Sequence, residues 1–298
     1  MELDALRLVL APVALVLLLA VGSMVVVLAR ESIPVLAREG LAILTSNAWR
    51  PSEDPSEELY GVAVPVLGSL YTAALALALV ALFSLSLTVF VEEVAPRPLR
   101  AALEEALNVA ASVPTVVYGL WGLSTVVPAV RWLGRTLGME GVSGPSILSA
   151  SIVLATMITP YAAAMMLVAY KSVPLAYVEA VTSLGATRVE RARIILGMIR
   201  GFFAASLLIG FGRAVGETTA VSMVVGNVYN LSPNVFEPSY TVTSLIANQF
   251  GMAYYYRYLP SALYFAALLL LAVSSIATYA GLRLASRAGL PAHRGGGR

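Results

Sequence analysis

The stretch IGFGRAVGETTAVSMVVG, residues 209–226, has the composition of a membrane-spanning helix, yet Arg213 and Glu217 sit inside it four positions apart. A charge at the centre of such a helix costs about 2.5–3.5 kcal/mol. Two unpaired charges would cost about 5–7 kcal/mol, a large part of a domain's whole stability. Read as one continuous helix, the spacing brings both side chains to one face. Gly212, Gly216 and Ala220 repeat at the same interval beside them and form a small-residue seam for a neighbouring helix. The charged face is therefore expected to look into a bundle or between two subunits rather than into lipid.

The rest of the 298-residue chain explains why such a segment exists. Hydrophobic residues make up 59% and charged residues 12%, and the mean hydropathy is +0.83. A soluble domain carries about 25% charge, so an integral membrane protein is the class that fits. There is no cysteine, and the one histidine, His293, lies in the glycine-rich tail HRGGGR. This composition argues against disulfides, Cys/His metal sites, haem ligation and cysteine nucleophiles, and no metal, cofactor or catalytic residue is expected. A net charge of +2 without basic–aromatic clusters gives no reason to expect a nucleic-acid partner.

Six apolar runs reach the length of about 20 residues that a bilayer requires: roughly 8–29, 64–91, 106–130, 146–170, 201–226 and 259–282. The fold class is thus an all-α membrane protein of one transmembrane domain, residues 1–298. The first run is too long for a signal-peptide core and is kept as a span. With the N-terminus inside, Lys and Arg favour the inner segments by about two to one, which places both termini in the cytoplasm. Tyr254, Tyr255, Tyr256 and Tyr258 then precede the last span at the outer interface, as aromatic anchors. In the outer connection, residues 30–63, Ile33, Leu36, Ala37, Leu41 and Leu44 have helical spacing and predict a helix lying on the membrane surface or beneath a partner. The acidic, proline-broken TSNAWRPSEDPSEELYG that follows is a solvated loop or a docking surface. Pro114 and Pro160 are expected to kink the third and fourth spans. Glu92, Glu93, Glu104 and Glu105 alternate with Arg97 and Arg100 and suggest an exposed charged rim.

The inner connection KSVPLAYVEAVTSLGATRVERARIILGMIR, residues 171–200, reads helix, glycine, helix. Pro174 suits a first turn. Leu175, Val178, Val181 and Leu184 make a narrow apolar stripe. Gly185 can close the helix in the left-handed conformation, and Thr187 with Glu190 has capping-box spacing. Periodicity alone leaves two readings open: a hairpin that stabilises a loop, or a knob for a groove on a cytoplasmic partner.

These residues resemble the EAA motif of ABC-importer permeases: Glu179 and Ala180, Gly185 six residues after the glutamate, then Ile194 and Leu196. Gly197 stands where that family usually has proline, and glycine also bends a helix. NAWRPSEDPSEELYG, SVPTVVYGLWGL, GFGRAVGETTAVSMVVGN and FEPSYTVTSLIANQFG further resemble, in the same order, segments of the PstC-type permeases of phosphate-specific ABC importers. The resemblance implies a type I ABC-importer permease fold and a transport pathway that includes Arg213, Glu217 and Thr218. It also implies an ATPase-coupling loop built on Glu179, Ala180, Gly185, Ala186 and Thr187. The implied partners are a PstA-like second permease subunit, a dimer of ATP-binding cassette subunits, an extracytoplasmic phosphate-binding protein and the lipid bilayer. Hydrolysis would belong to those partners, since no Gly-rich Lys-Ser/Thr loop is found in the chain.

Under that reading a guanidinium offers paired donors to a tetrahedral oxyanion. Hydrogen phosphate can donate its hydroxyl to Glu217, whereas sulfate has no proton to give. The rival role for the pair is an ion pair that locks helix register. A secondary anion transporter driven by an ion gradient is the competing function, though it would often show inverted repeats and none is found. A membrane-embedded enzyme would need clustered acidic, Cys or His residues.

Overall fold

Long apolar helices need every backbone group satisfied within the protein, and the breaks between them fall where a side chain or a distant partner takes over that task. The computed structural model describes residues Glu2–Arg287, with side chains from Leu10 onward; the tail HRGGGR and the C-terminus lie outside them. The helices are α1 (Glu2–Glu39), α2 (Ala63–Val89), α3 (Arg97–Ser112), α4 (Thr115–Trp121), α5 (Val127–Thr136) and α6 (Ile147–Lys171). They continue with α7 (Leu175–Ser183), α8 (Arg188–Met198), α9 (Arg200–Gly216), α10 (Thr219–Val224), α11 (Val242–Gln249) and α12 (Leu259–Arg287). A two-residue hairpin, β1 (Trp49–Arg50) and β2 (Leu59–Tyr60), pairs Trp49 with Tyr60 in antiparallel register. Among the described residues, five helical segments are long and apolar enough to cross a membrane: Leu10–Leu44, Ala63–Val94, Thr115–Thr136, Ile147–Lys171 and Leu259–Arg287. The pair α8–α9, bent by 66°, makes a sixth if it is one span.

The core is made of small and branched residues that let helices approach closely. Ala73, Ala76 and Val80 of α2 meet Val153, Leu154 and Ile158 of α6, Ala214 and Val215 of α9, and Ala220 and Val224 of α10. α12 packs along α9, and α1 packs mainly on α12. From Leu10 to Val27 α1 is exposed along its whole length, a surface apolar but for Ser23, whose hydroxyl donates to the Ala20 carbonyl, and suited to lipid.

Several expectations are corrected. The surface helix predicted over residues 31–44 is instead the continuation of α1, which runs unbroken to Glu39 and ends in a tight turn over Gly40–Leu44. Pro34 interrupts that ladder, and Ser261 of α12 repairs it: Val35 N–H donates to Ser261 Oγ (3.0 Å), which donates on to the Glu31 carbonyl (2.7 Å). The acidic loop is not wholly solvated. Glu58 is fully buried and accepts from Tyr60 Oη (2.7 Å) and from the backbone N–H groups of Arg257 (3.2 Å) and Tyr258 (3.0 Å), at the start of α12. A carboxylate suits that helix end. Tyr256 and Tyr258 pack inward beside it, while Tyr254 and Tyr255 stay exposed.

The third apolar segment lies at Thr115–Thr136 rather than 106–130. Pro114 does not kink a helix. The residue before a proline avoids the helical region, and Val113 is extended (φ −63°, ψ 130°), so α3 ends there and Pro114 caps α4. Tyr118 Oη donates to the Ala110 carbonyl (2.8 Å) and holds the two helices together. Pro160, by contrast, sits inside an unbroken α6.

Candidate functional site

Two regions carry the residues singled out from sequence. The first is the α7–α8 module. Leu184 N–H bonds to the Ala180 carbonyl (3.3 Å) and Gly185 N–H to that of Thr182 (3.0 Å), and Gly185 takes φ +79°. An L side chain is strained in that conformation. Thr187 then starts α8 with a complete capping box: Thr187 N–H donates to Glu190 Oε2 (2.8 Å), and Glu190 N–H to Thr187 Oγ1 (3.3 Å). No residue of α7 is buried. Glu179, Ala180, Gly185 and Thr187 are exposed and Ala186 is half-buried, while Leu184 stands 87% and Val189 70% free. A short helix with none of its side chains buried gains little from this chain's own packing.

What holds the module is α8. Ile195 and Ile199 pack with Met166, Tyr170 and Val173 at the end of α6. The bend into α9 falls at Ile199 (φ −97°, ψ 11°), not at Gly197, which lies within α8. Ile199 is fully buried, so packing rather than a glycine sets the exit direction.

The predicted charged rim is also corrected. Glu93 is 8% exposed and lies in the widened last turn Phe90–Val94 that extends α2. Its carboxylate accepts from Arg191 Nε (3.0 and 3.2 Å), from the Arg191 guanidinium end and from Tyr170 Oη, while Arg188 donates to its carbonyl (3.3 Å). Glu92 faces Arg100 (3.1 Å) and Lys171 (3.9 Å), and Lys171 also reaches Glu104 (2.6 Å). Local spacing held no signal for the contacts to Lys171 and Arg191, because their partners lie 67 to 98 residues away along the chain. No group of three acidic or histidine side chains fit to hold a metal is found among the described residues.

The second region is the junction of α9 and α10. The expected continuous helix breaks here: α9 ends at Gly216 and Glu217 is extended (φ −71°, ψ 125°). Two partners and the local helix propensity explain the break. Glu217 Oε1 accepts from Ala220 N–H (3.2 Å) and so caps α10. The Glu217 carbonyl accepts from Thr243 Oγ1 of α11 (2.8 Å). Gly216 and the β-branched Thr218 and Thr219 are weak helix formers. Arg213 and Glu217 consequently form no ion pair, and the register-locking alternative is not realised. Arg213 lies in the last turn of α9, where a cation favours the helix dipole. It is exposed, its guanidinium 5.8 Å from the centre of the Tyr161 ring. Its donors are therefore open to an anion. Thr218 is half-buried at the break.

The small-residue seam divides at the same point. A Cβ on Gly212 would lie 2.4 Å from Thr278 Oγ1 of α12, and Ala220 packs against Gly119 of α4, but Gly216 has nothing within 4 Å.

Comparison with known proteins places this geometry. The model of the family described as "Binding-protein-dependent transport system inner membrane component" matches residues 23–288. A curated relative from Methanocaldococcus jannaschii, "Probable phosphate transport system permease protein PstC", is 38% identical over 263 residues, covering 85% of this chain and 84% of the relative. The "Phosphate transport system permease protein PstC" of Xylella fastidiosa is 35% identical over 231 residues, 72% of this chain and 70% of the relative. Among solved structures, the inward-facing MetNI methionine ABC transporter aligns with a TM-score of 0.58 at 18% identity, over 76% of this chain and 95% of that one. At that identity it speaks for the fold alone.

Proposed function

This chain belongs to the binding-protein-dependent transport system inner membrane components, and on that premise we propose that it is the permease subunit of an ABC importer that moves inorganic phosphate into the cell. Its substrate class is supported by the phosphate-transport relatives that match most of its length. The observation that carries the mechanism is the α7 helix, which has no buried side chain yet is mounted through Val178, Gly185, the Thr187–Glu190 box and the buried face of α8. Such a helix is built to be covered by a partner. In this reading α7 enters a groove of an ATP-binding cassette subunit through Glu179, Ala180, Gly185, Ala186 and Thr187. That end of the bundle faces the cytoplasm of a cell-membrane protein whose termini are both inside. A PstA-like subunit completes the pathway, and an extracytoplasmic binding protein delivers phosphate at the β1–β2 end.

Force then has a direct route. α8 is fused through Ile199 to α9, and Arg213 lies thirteen residues along that helix, roughly 20 Å from its start. A displacement of α7 therefore turns the helix that ends in the anion-binding guanidinium. Phosphate is held by Arg213 beside the Glu217–Thr218 break, where a carboxylate oxygen can accept the hydroxyl of hydrogen phosphate and repel sulfate.

Reconstitution with the second permease, the ATPase dimer and the binding protein tests the function. Phosphate-loaded binding protein is expected to stimulate ATP hydrolysis and uptake together. Uptake that proceeds without ATP would overturn it. For selectivity, Glu217→Gln is expected to narrow the discrimination between phosphate and sulfate; unchanged discrimination removes that role.

A further inference from the structure

Resting on the importer reading above, we propose that the Glu93–Arg191 pair is a mechanical joint that carries the displacement of the α7–α8 module into α2, and that Glu93 is a positioning residue for transport. The pair lies where α2, α6 and α8 meet. Glu93 comes from the widened last turn of α2, Tyr170 from the end of α6 and Arg191 from α8, three residues after Arg188, the first residue of that helix, which donates to the Glu93 carbonyl. Extra-residue turns of this kind recur at functional sites. Here the turn leaves Glu92 and Glu93 with separate duties. Glu92 ties α2 to α3 and α6 through Arg100 and Lys171, and Glu93 ties it to α8.

Anchoring alone does not call for such a pair. α8 is already mounted on Ile195 and Ile199, and a buried ion pair is often replaceable by apolar packing without loss of stability. What the pair adds is direction. Both Nε and the guanidinium end of Arg191 engage the Glu93 carboxylate, a planar fork that resists rotation as a point charge does not. The covalent route through Ile199 moves only α9. α2 packs against both α6 and α9, so a second, rigid link from α8 to α2 makes the core helices move with α9 instead of letting α9 slide past them.

Removing the Glu93 charge would leave the half-buried Arg191 unpaired, so a lone Glu93→Gln confuses misfolding with uncoupling. The decisive variants are the double neutralisation Glu93→Gln/Arg191→Met, which removes both charges, and Arg191→Lys, which keeps the charge and loses the fork. Each is assembled with the permease partner, the ATPase dimer and the binding protein, and phosphate taken up per ATP hydrolysed is measured beside the thermal midpoint of the complex. The expected result is assembly and a midpoint near wild type, continued ATP hydrolysis, and a fall in phosphate per ATP of roughly fivefold or more. Double-variant complexes with wild-type stoichiometry would overturn the joint. So would a loss that tracks the thermal midpoint and is reversed by conditions that restore it, since that marks a merely structural pair. If the wild-type complex itself takes up no phosphate, the importer reading fails, and this inference with it.

Discussion

Gly212 and Gly216 lie one turn apart in the same helix, and the structure assigns opposite signs to the same substitution at the two. Neither has a left-handed backbone, so alanine gains helix propensity at both, up to about 1 kcal/mol in a helix interior and less at the last residue. At Gly216 nothing lies within 4 Å of the new methyl, and the gain stands as a few tenths of a kcal/mol. At Gly212 the methyl would sit 2.4 Å from Thr278 Oγ1 and 3.1 Å from the Ser274 carbonyl of α12. The threonine can rotate away, but the carbonyl belongs to a helix backbone that must retreat. Overpacking of this kind costs about 1–3 kcal/mol, and after the propensity gain the net loss is about 1 kcal/mol. Thermal unfolding of the detergent-solubilised chain, both variants at one scan rate, would then place Gly212→Ala below wild type and Gly216→Ala at or above it. For a chain of this size 1 kcal/mol moves the midpoint by about 2–4 °C, so a gap of about 3–5 °C is expected. Equal midpoints, or a more stable Gly212→Ala, would refute the close α9–α12 contact and with it the division of the seam.

Ser261→Ala strands Val35 N–H and the Glu31 carbonyl together; a loss of about 1–3 kcal/mol is expected, read as a lower midpoint with faster proteolysis near Pro34. Leu184→Glu changes a side chain that is 87% exposed; the chain's own midpoint should stay within about 1 °C, while co-purification of the ATPase subunit falls sharply. Retained co-purification would argue against α7 as the docking helix. The Asn230 amide, followed by the Ser232 hydroxyl, holds the Glu237 carboxyl below its ordinary range. A depressed carboxylate stabilises the folded loop above its unfolded pKa of about 4.3, and the contribution disappears as pH falls through the lower folded value. Trp49 stacks on Tyr229 beside this loop. In a Trp121→Phe/Trp132→Phe background its emission should hold steady from pH 7 to about 5 and shift only below about 4. A shift centred above pH 5 would contradict the assignment.

Features set by neighbours within four residues were readable from the chain alone. The Thr187–Glu190 box, the left-handed Gly185 and the apolar stretches long enough to cross a bilayer depend on local hydrogen-bond geometry and on composition, and sequence carries both. Where a distant group competed for the backbone, sequence pointed the wrong way. Helical periodicity runs straight through IGFGRAVGETTAVSMVVG, but Thr243 takes the Glu217 carbonyl and the Glu217 side chain turns to cap α10, so the helix ends. The same holds for α1, carried past Pro34 by a serine 226 residues away, and for Glu93, which looked like part of a solvated rim until Arg191, 98 residues on, buried it. An apolar pattern reports which residues leave water. It does not say which of several satisfied arrangements the backbone adopts, because that choice rests on hydrogen-bond partners that only the assembled bundle brings within 3 Å or so.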